Sequence, residues 1–435
     1  LEALVSDVAR PLPALAARVA DVARQIASAR VLLGAGRYEQ AVSVAAAAVA
    51  MARPLGYDPV LAEALLVQGN ARMRLAGRQD AVPLLLEATH LAISSRMDAV
   101  AVEAWARRAW AEGTSSEPAH ALDGFDVVER LATRGHPASF AHALLLNNAG
   151  SVELSAGSRD RARGYLERAL IEARAVTGPE ALELIGIREN LAFVTDDHAQ
   201  ADQLLVRAAA DLGEQLGAGH PDALDPQWMR GYVSIEDLGR VVEVLTPVCR
   251  AYDDHLALAD RSAECWTEVG FVEEDLGHRA LAVAALRRAV RTEDERSEAR
   301  PYLALLQDGP RPATAMFGAA LAALPARAGA PWWERLSRAK LTLGLGRARR
   351  AGGDLRGARE AFAEAIADLE PIVTAQRSLS DDRRLGRARV ELALTLATMG
   401  LDSRASRQAA AAAAGWLTRV GGARAEIDRL ASGGH

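Results

Sequence analysis

Ser337-Arg338-Ala339-Lys340 sets a hydroxyl and an amine at the Ser-x-x-Lys spacing of an acylating nucleophile and its base. The strings that complete such a site, Ser-Asp-Asn and Lys-Thr-Gly, are absent, and a four-residue match arises readily by chance. The nine histidines are scattered, with His136 and His142 the nearest pair. Neither His-Glu-x-x-His nor Cys-x-x-Cys occurs, so the spacing of a metal site is missing. Cys249 and Cys265 are the only cysteines. They fall on what should be consecutive helices and are expected to be two small buried apolar residues, not a redox pair or a disulfide framework. Asp196-Asp197, Asp253-Asp254 and Glu273-Glu274 are adjacent, so on helices they point in different directions and read as solvated surface. No nucleophile, base and orienting group converge. The chain is expected to be no enzyme and to carry no metal or cofactor.

The elements that position side chains must therefore supply the function. The chain has 435 residues, 50% hydrophobic, 25% charged and only 4% aromatic. That is an ordinary folded composition in which Ala, Leu and Val must fill the core. Alanine is the best helix former and lets helices approach closely. Lys340 is the only lysine; every other basic residue is arginine. The net charge of -6 argues against general nucleic-acid binding. Charge is unevenly placed: residues 331–435 hold 18 basic and 12 acidic residues, a net of +6, leaving -12 for the remainder. No apolar run reaches the roughly 18 residues of a membrane span, and no signal peptide is visible, so a cytoplasmic location is expected. The chain begins at Leu1 without methionine and reads as a piece of a longer protein.

One spacing recurs: a small residue, a second seven on, Ala five on, and Ala seven on again. It fits Ala29-Gly36-Ala41-Ala48, Gly69-Ala76-Ala81-Ala88 and Gly150-Gly157-Ala162-Ala169. It also fits Gly270-Gly277-Ala282-Ala289, Gly346-Gly353-Ala358-Ala365 and Ala393-Gly400-Ala405-Ala412. A helical hairpin explains it. The first small residue lies mid-helix where a second helix crosses, the next marks the turn, and the paired alanines lie two turns apart on one face. Leu85, Leu166 and Leu286 fall between the paired alanines. Degenerate copies at Val128, Ala208 and Val248 complete a period of about 40 residues. Asp58-Pro59, Gly178-Pro179-Glu180 and His220-Pro221-Asp222 put Pro and acid where a first helical turn accepts them. Period-two alternation is absent, so no sheet is expected.

The expected architecture is all-α: a right-handed superhelical solenoid of about ten hairpins with a C-terminal capping helix. Residues 1–12 are a lead-in, 13–308 the main solenoid, 309–331 an irregular Pro/Gly-rich joint with a short hairpin around Ala315 to Ala328, and 332–435 further repeats closed by a helix over Ala412 to Leu430.

Gly36-Arg37-Tyr38-Glu39-Gln40-Ala41 resembles the turn of the tetratricopeptide repeat (TPR). Leu146-Asn147-Asn148-Ala149-Gly150 and Leu216-Gly217-Ala218-Gly219-His220-Pro221-Asp222 resemble the longer repeats of kinesin light chain. Ala29 to Leu66 and Asp402 to Leu430 resemble the repeat region that follows the kinase domain in myxobacterial serine/threonine kinases. The kinase motifs themselves are missing; Gly344-Leu345-Gly346 lacks the third glycine and sits inside a repeat helix. The resemblance implies a scaffold that holds a protein or extended peptide in a concave groove, as the interaction or regulatory arm of a larger signalling protein. It further implies that polar residues flanking the mid-helix small residue face that groove: Asn70, Arg74, Asn147, Asn148, Ser151, Asn190, Phe193, Glu274, Arg347 and Arg350. Side-chain amides can hold an extended backbone and arginines can fork onto carboxylates. Each position, taken singly, is otherwise a solvated helix position. The alternatives are a self-associating solenoid, its basic end against an acidic neighbour, or the regulatory segment of a signalling ATPase or transcription activator.

Overall fold

The structure, a computed structural model, describes residues 8–400 and 411, apart from 76–77, 115–117, 135–138, 256–257, 291–297, 326–329, 331 and 377. Every regular element among the described residues is a helix. The chain forms two compact units, one of Leu1–Asp196 and Leu204–Ala223, the other of Asp197–Gln203 and Leu224–His435. The first unit carries α1 (Ala16–Gly34), α2 (Tyr38–Ala52), α3 (Asp58–Met73), α4 (Val82–Ser94), α5 (Asp98–Gly113), α6 (Pro118–Ala121), α7 (Phe125–Thr133), α8 (Phe140–Ser155), α9 (Arg159–Ala173), α10 (Pro179–Glu183) and α11 (Gly186–Val194). Two helices, α12 (His198–Leu216) and α13 (Pro221–Val233), give residues to both units. The second unit carries α14 (Leu238–Asp253), α15 (Ala259–Asp275), α16 (Arg279–Ala289), α17 (Ala299–Gln307), α18 (Pro310–Ala322), α19 (Trp332–Ala351), α20 (Leu355–Gln376) and α21 (Leu379–Thr398).

Within each unit consecutive helices pack as hairpins: α1 with α2, α3 with α4, α8 with α9, and again α15 with α16 and α19 with α20. The repeat spacing has the physical cause expected of it. A Cβ on Gly150 in α8 would fall 2.6 Å from the Leu166 side chain in α9, so only glycine permits that crossing. Gly69 against Leu85, Gly270 against Leu286 and Gly346 against Phe362 repeat the arrangement. Gly157 closes its hairpin with φ 79°, a left-handed turn that glycine adopts without strain. Arg96 holds the same kind of position between α4 and α5 with φ 58°, where an arginine Cβ is crowded. Ala162, Leu166 and Ala169 are each fully buried, as the single-face reading requires. Caps fix helix starts. Asp237 accepts the Arg240 N–H at 2.7 Å to open α14, and Ser378 accepts the Asp381 N–H at 3.3 Å to open α21.

Residues 309–331, expected as an irregular joint, include α18, which packs against both α17 and α19. Pro310 and Pro312 fall in its first turn, where a missing N–H breaks no helical bond. The cysteine expectation is corrected. Cys249 in α14 and Cys265 in α15 are joined in a disulfide, Cα to Cα 5.4 Å, with both residues fully buried. The two helices pack face to face, and a side chain as small as cysteine at that crossing brings the sulfurs into reach. The expected closing helix over Ala412 to Leu430 lies outside the described residues, as do Ala76, Ala405 and most of the lead-in.

Candidate functional site

In the first unit, α3 and α8 place most of the expected groove residues. Arg74, at the end of α3, pairs with Asp222 at 3.2 Å and lies over the Tyr38 ring, whose hydroxyl donates to the same carboxylate at 2.9 Å. Asn70, one turn earlier, accepts a hydrogen bond from Arg107 at 3.1 Å. Arg107 is almost fully buried and also pairs with Glu103 at 2.8 Å and Glu183 at 2.6 Å. Burial pushes the Glu103 carboxyl up, and Arg107 offsets that only in part. Burial acts on Glu183 too, but Arg107 and Arg74 bring it below the ordinary range.

A second polar line runs from α8 to α11. The Asn190 amide donates to Asn147 at 2.9 Å, and Asn147 in turn donates to Asn148 at 3.3 Å. Asn148 is buried and donates to the Ala106 carbonyl in α5 at 3.1 Å. Ser151 returns its hydroxyl to the Asn147 carbonyl at 3.3 Å. Phe193 is half-buried, and its carbonyl accepts from Arg159. The structure thus brings Asn147, Asn148, Ser151 and Asn190 together, and Asn70 and Arg74 beside a separate ionic cluster.

In the second unit, side chains of α13, α15, α17, α19 and α21 converge. Glu274 receives Arg347 at 2.9 Å, and Arg347 lies over the Tyr302 ring. Glu391 joins them, 3.4 Å from Arg347 and 2.5 Å from Arg350. All three sequence-expected residues of this unit therefore meet in one network. Deeper in, the buried Glu268 accepts from Ser380 at 2.8 Å, Arg383 at 2.8 Å and Arg384 at 2.8 Å. Burial would push this carboxyl up; Arg384 and Arg383 overcome it and hold it at about 2. Arg383 also donates to the Gly231 carbonyl at 3.1 Å, and the Tyr232 hydroxyl donates to Asp381 at 2.9 Å. These bonds tie the start of α21 to α13.

Two spaces adjoin this network. A small pocket of about 40 Å³ is lined by Phe271, Glu274, Tyr302, Lys340, Arg347 and Arg387, among others. An open cleft of about 580 Å³ has Trp228, Tyr232 and Trp333 as aromatic walls and Asp260, Glu264 and Glu334 as acidic ones. Trp228 and Tyr232 stack at 5.4 Å. Glu268, Glu298, Lys340 and Arg384 border both spaces. Sequence reasoning missed these four and the aromatic walls. Lys340 stands out in the sequence as the only lysine, but its Ser-x-x-Lys setting is empty of chemistry; Ser337 merely returns its hydroxyl to the Trp333 carbonyl at 3.1 Å. The run Arg383, Arg384, Arg387 and Arg389 is a second available signal.

Helical hairpins packed in sequence, with a glycine at the crossings of Gly69, Gly150, Gly270 and Gly346, define a tetratricopeptide-like fold. It is similar to that of a Rap protein solved in complex with competence and sporulation factor, at 14% identity, 95% of this chain, 99% of that chain and a TM-score of 0.50. The apo quorum sensor NprR from B. thuringiensis also matches, at 12% identity over 81% of this chain and 97% of that one, TM-score 0.48. So does the Rap conjugation gene regulator of plasmid pLS20 with the Phr* peptide, at 16% identity over 85% and 96%, TM-score 0.46. At these identities the likeness concerns the fold. No family's sequence profile matches the chain, and no curated protein matches it in sequence. No described helix is long and apolar enough to cross a membrane.

Proposed function

We propose that this chain is a binding scaffold for an extended peptide or protein segment, and that the second unit's cleft is its principal site. The observation that carries the reading is that cleft. Its volume of about 580 Å³ lies within the roughly 300–1,000 Å³ of ligand sites, and it is open to solvent. Its walls combine aromatic rings with carboxylates and hydroxyls, which suits a chain of mixed side chains. The Rap protein of similar fold was solved with competence and sporulation factor, which supports the same reading. In the first unit, the Asn147–Asn190 amide line and the Arg74–Tyr38 surface are proposed as secondary contacts. A cytoplasmic location, and service as the interaction arm of a larger signalling protein such as a serine/threonine kinase, are proposed on the sequence resemblance alone.

Self-association through the basic end has less support. Arg347, Arg350, Arg383, Arg384, Arg387 and Arg389 are all paired with carboxylates inside the second unit. These six arginines, among the described residues, have their charge matched within the unit. The test of the peptide reading is retention of a randomised peptide library on the immobilised chain, read by mass spectrometry, beside Ala263→Trp. Ala263 lines the cleft, and an indole there would fill it. Recurrent sequences held by the parent and lost from the variant are expected. Equal retention by both would remove the cleft from the function.

A further inference from the structure

Lys340 stands apart from the other charges of the second unit. Its neighbours Arg347, Arg383, Arg384 and Arg387 are each matched to a carboxylate. The Lys340 ammonium, half-buried on α19 at the border of pocket and cleft, makes no hydrogen bond or ion pair among the described residues. Beside it, Arg384 spends its terminal nitrogens on Ser380, Asp381, Glu268 and Glu298, but its buried Nε–H has no acceptor among the described residues. A buried donor without a partner carries a desolvation cost that an incoming oxygen removes. The pocket lining sums to five cations (Lys340, Arg347, Arg383, Arg384, Arg387) against four acids (Glu268, Glu274, Asp275, Glu298). Burial pushes the Glu298 carboxyl up, and Lys340 and Arg384 oppose that shift. The cleft lining also carries Asp260, Glu264 and Glu334.

We propose that Lys340, with the free Nε–H of Arg384, is the anchor for a carboxylate of the bound peptide, the rest of which lies along the aromatic walls of the cleft. The proposal rests on the peptide-binding reading above and adds one feature of the ligand, a carboxylate held at Lys340. A main-chain terminus and an Asp or Glu side chain present the same chemistry.

The sole lysine makes the test direct. Grown with 15Nζ-lysine, the full chain carries a single side-chain ammonium to follow by NMR. The probes are N-acetylated random hexapeptide libraries with a free C-terminal carboxylate or a C-terminal amide, each made with and without Asp and Glu. The proposal expects the Lys340 resonance to shift with carboxylate-bearing libraries. It expects Lys340→Met to weaken retention of the same peptides about 10-fold or more at unchanged melting temperature. Loss on amidation identifies the terminal carboxylate as the source; loss only when Asp and Glu are omitted identifies a side chain. Peptides retained equally by Lys340→Met, or equally from libraries with no carboxylate, overturn the anchor while leaving peptide binding intact. Retention of no peptide from any library overturns the binding reading and the anchor with it.

Discussion

Replacing Glu268 by glutamine keeps the shape of a buried side chain and removes its charge. Glu268 is 6% exposed and holds Ser380, Arg383 and Arg384 of α21 against α15. Its carboxyl is held at about 2 against an ordinary 4.5, and the difference corresponds to about 3 kcal/mol at neutral pH. Because the folded pKa is depressed, this stability is present above pH 4.5 and is withdrawn as pH falls toward 2. Between pH 7 and pH 3 about 2 kcal/mol of it should disappear. The neutral amide would also leave two buried guanidinium groups short of a counter-charge, so Glu268→Gln should be less stable by about 3–5 kcal/mol at pH 7. The gap between parent and variant should then narrow by about 2 kcal/mol at pH 3. Urea unfolding at several pH values measures the gap, and hydrogen exchange of α15 and α21 localises it. A gap that stays constant from pH 7 to pH 3, or that is under about 1 kcal/mol at pH 7, would refute the reasoning.

Ala162→Leu should overpack the α8–α9 crossing and cost about 1–3 kcal/mol, seen as a lower urea midpoint; unchanged stability would break the repeat register. Arg96→Gly should raise stability by about 1 kcal/mol, since glycine adopts φ 58° freely, and a melting curve decides. Cys265→Ala opens the loop of sequence separation 16 and should cost about 3 kcal/mol; intact mass before and after reduction checks that the cross-link forms. Asn148→Ala removes a buried amide bond to the Ala106 carbonyl, which keeps its helical bond, and should cost about 0.5–1.5 kcal/mol. Asn190→Ala, at a half-buried position, should cost less, and parallel thermal melts compare the two.

The hairpins were legible because their cause is local. A glycine where a leucine of the next helix crosses, a glycine at the turn, and two alanines on one face are short-range conditions, and they recur once per repeat. Glu274, Arg347 and Arg350 each flank a mid-helix glycine in the sequence, and the structure joins them through ion pairs with one another and with Glu391. Asn148 shows where that rule stops. It holds the same kind of position, yet its amide reaches the Ala106 carbonyl of α5, a partner set by how closely the two hairpins stack.

The sequence by itself determined the helices, their pairing and the period, because propensity, glycine geometry and side-chain volume act between neighbours in the chain. It also singled out Lys340 by composition. Only the tertiary structure decided which charges meet. The Cys249–Cys265 bond depends on the distance between two packed helices. The Glu268 network joins residues more than a hundred positions apart, and the unmatched Lys340 ammonium is what remains after its neighbours have paired. Such pairings turn on a few ångströms of helix placement, which no spacing along the chain records.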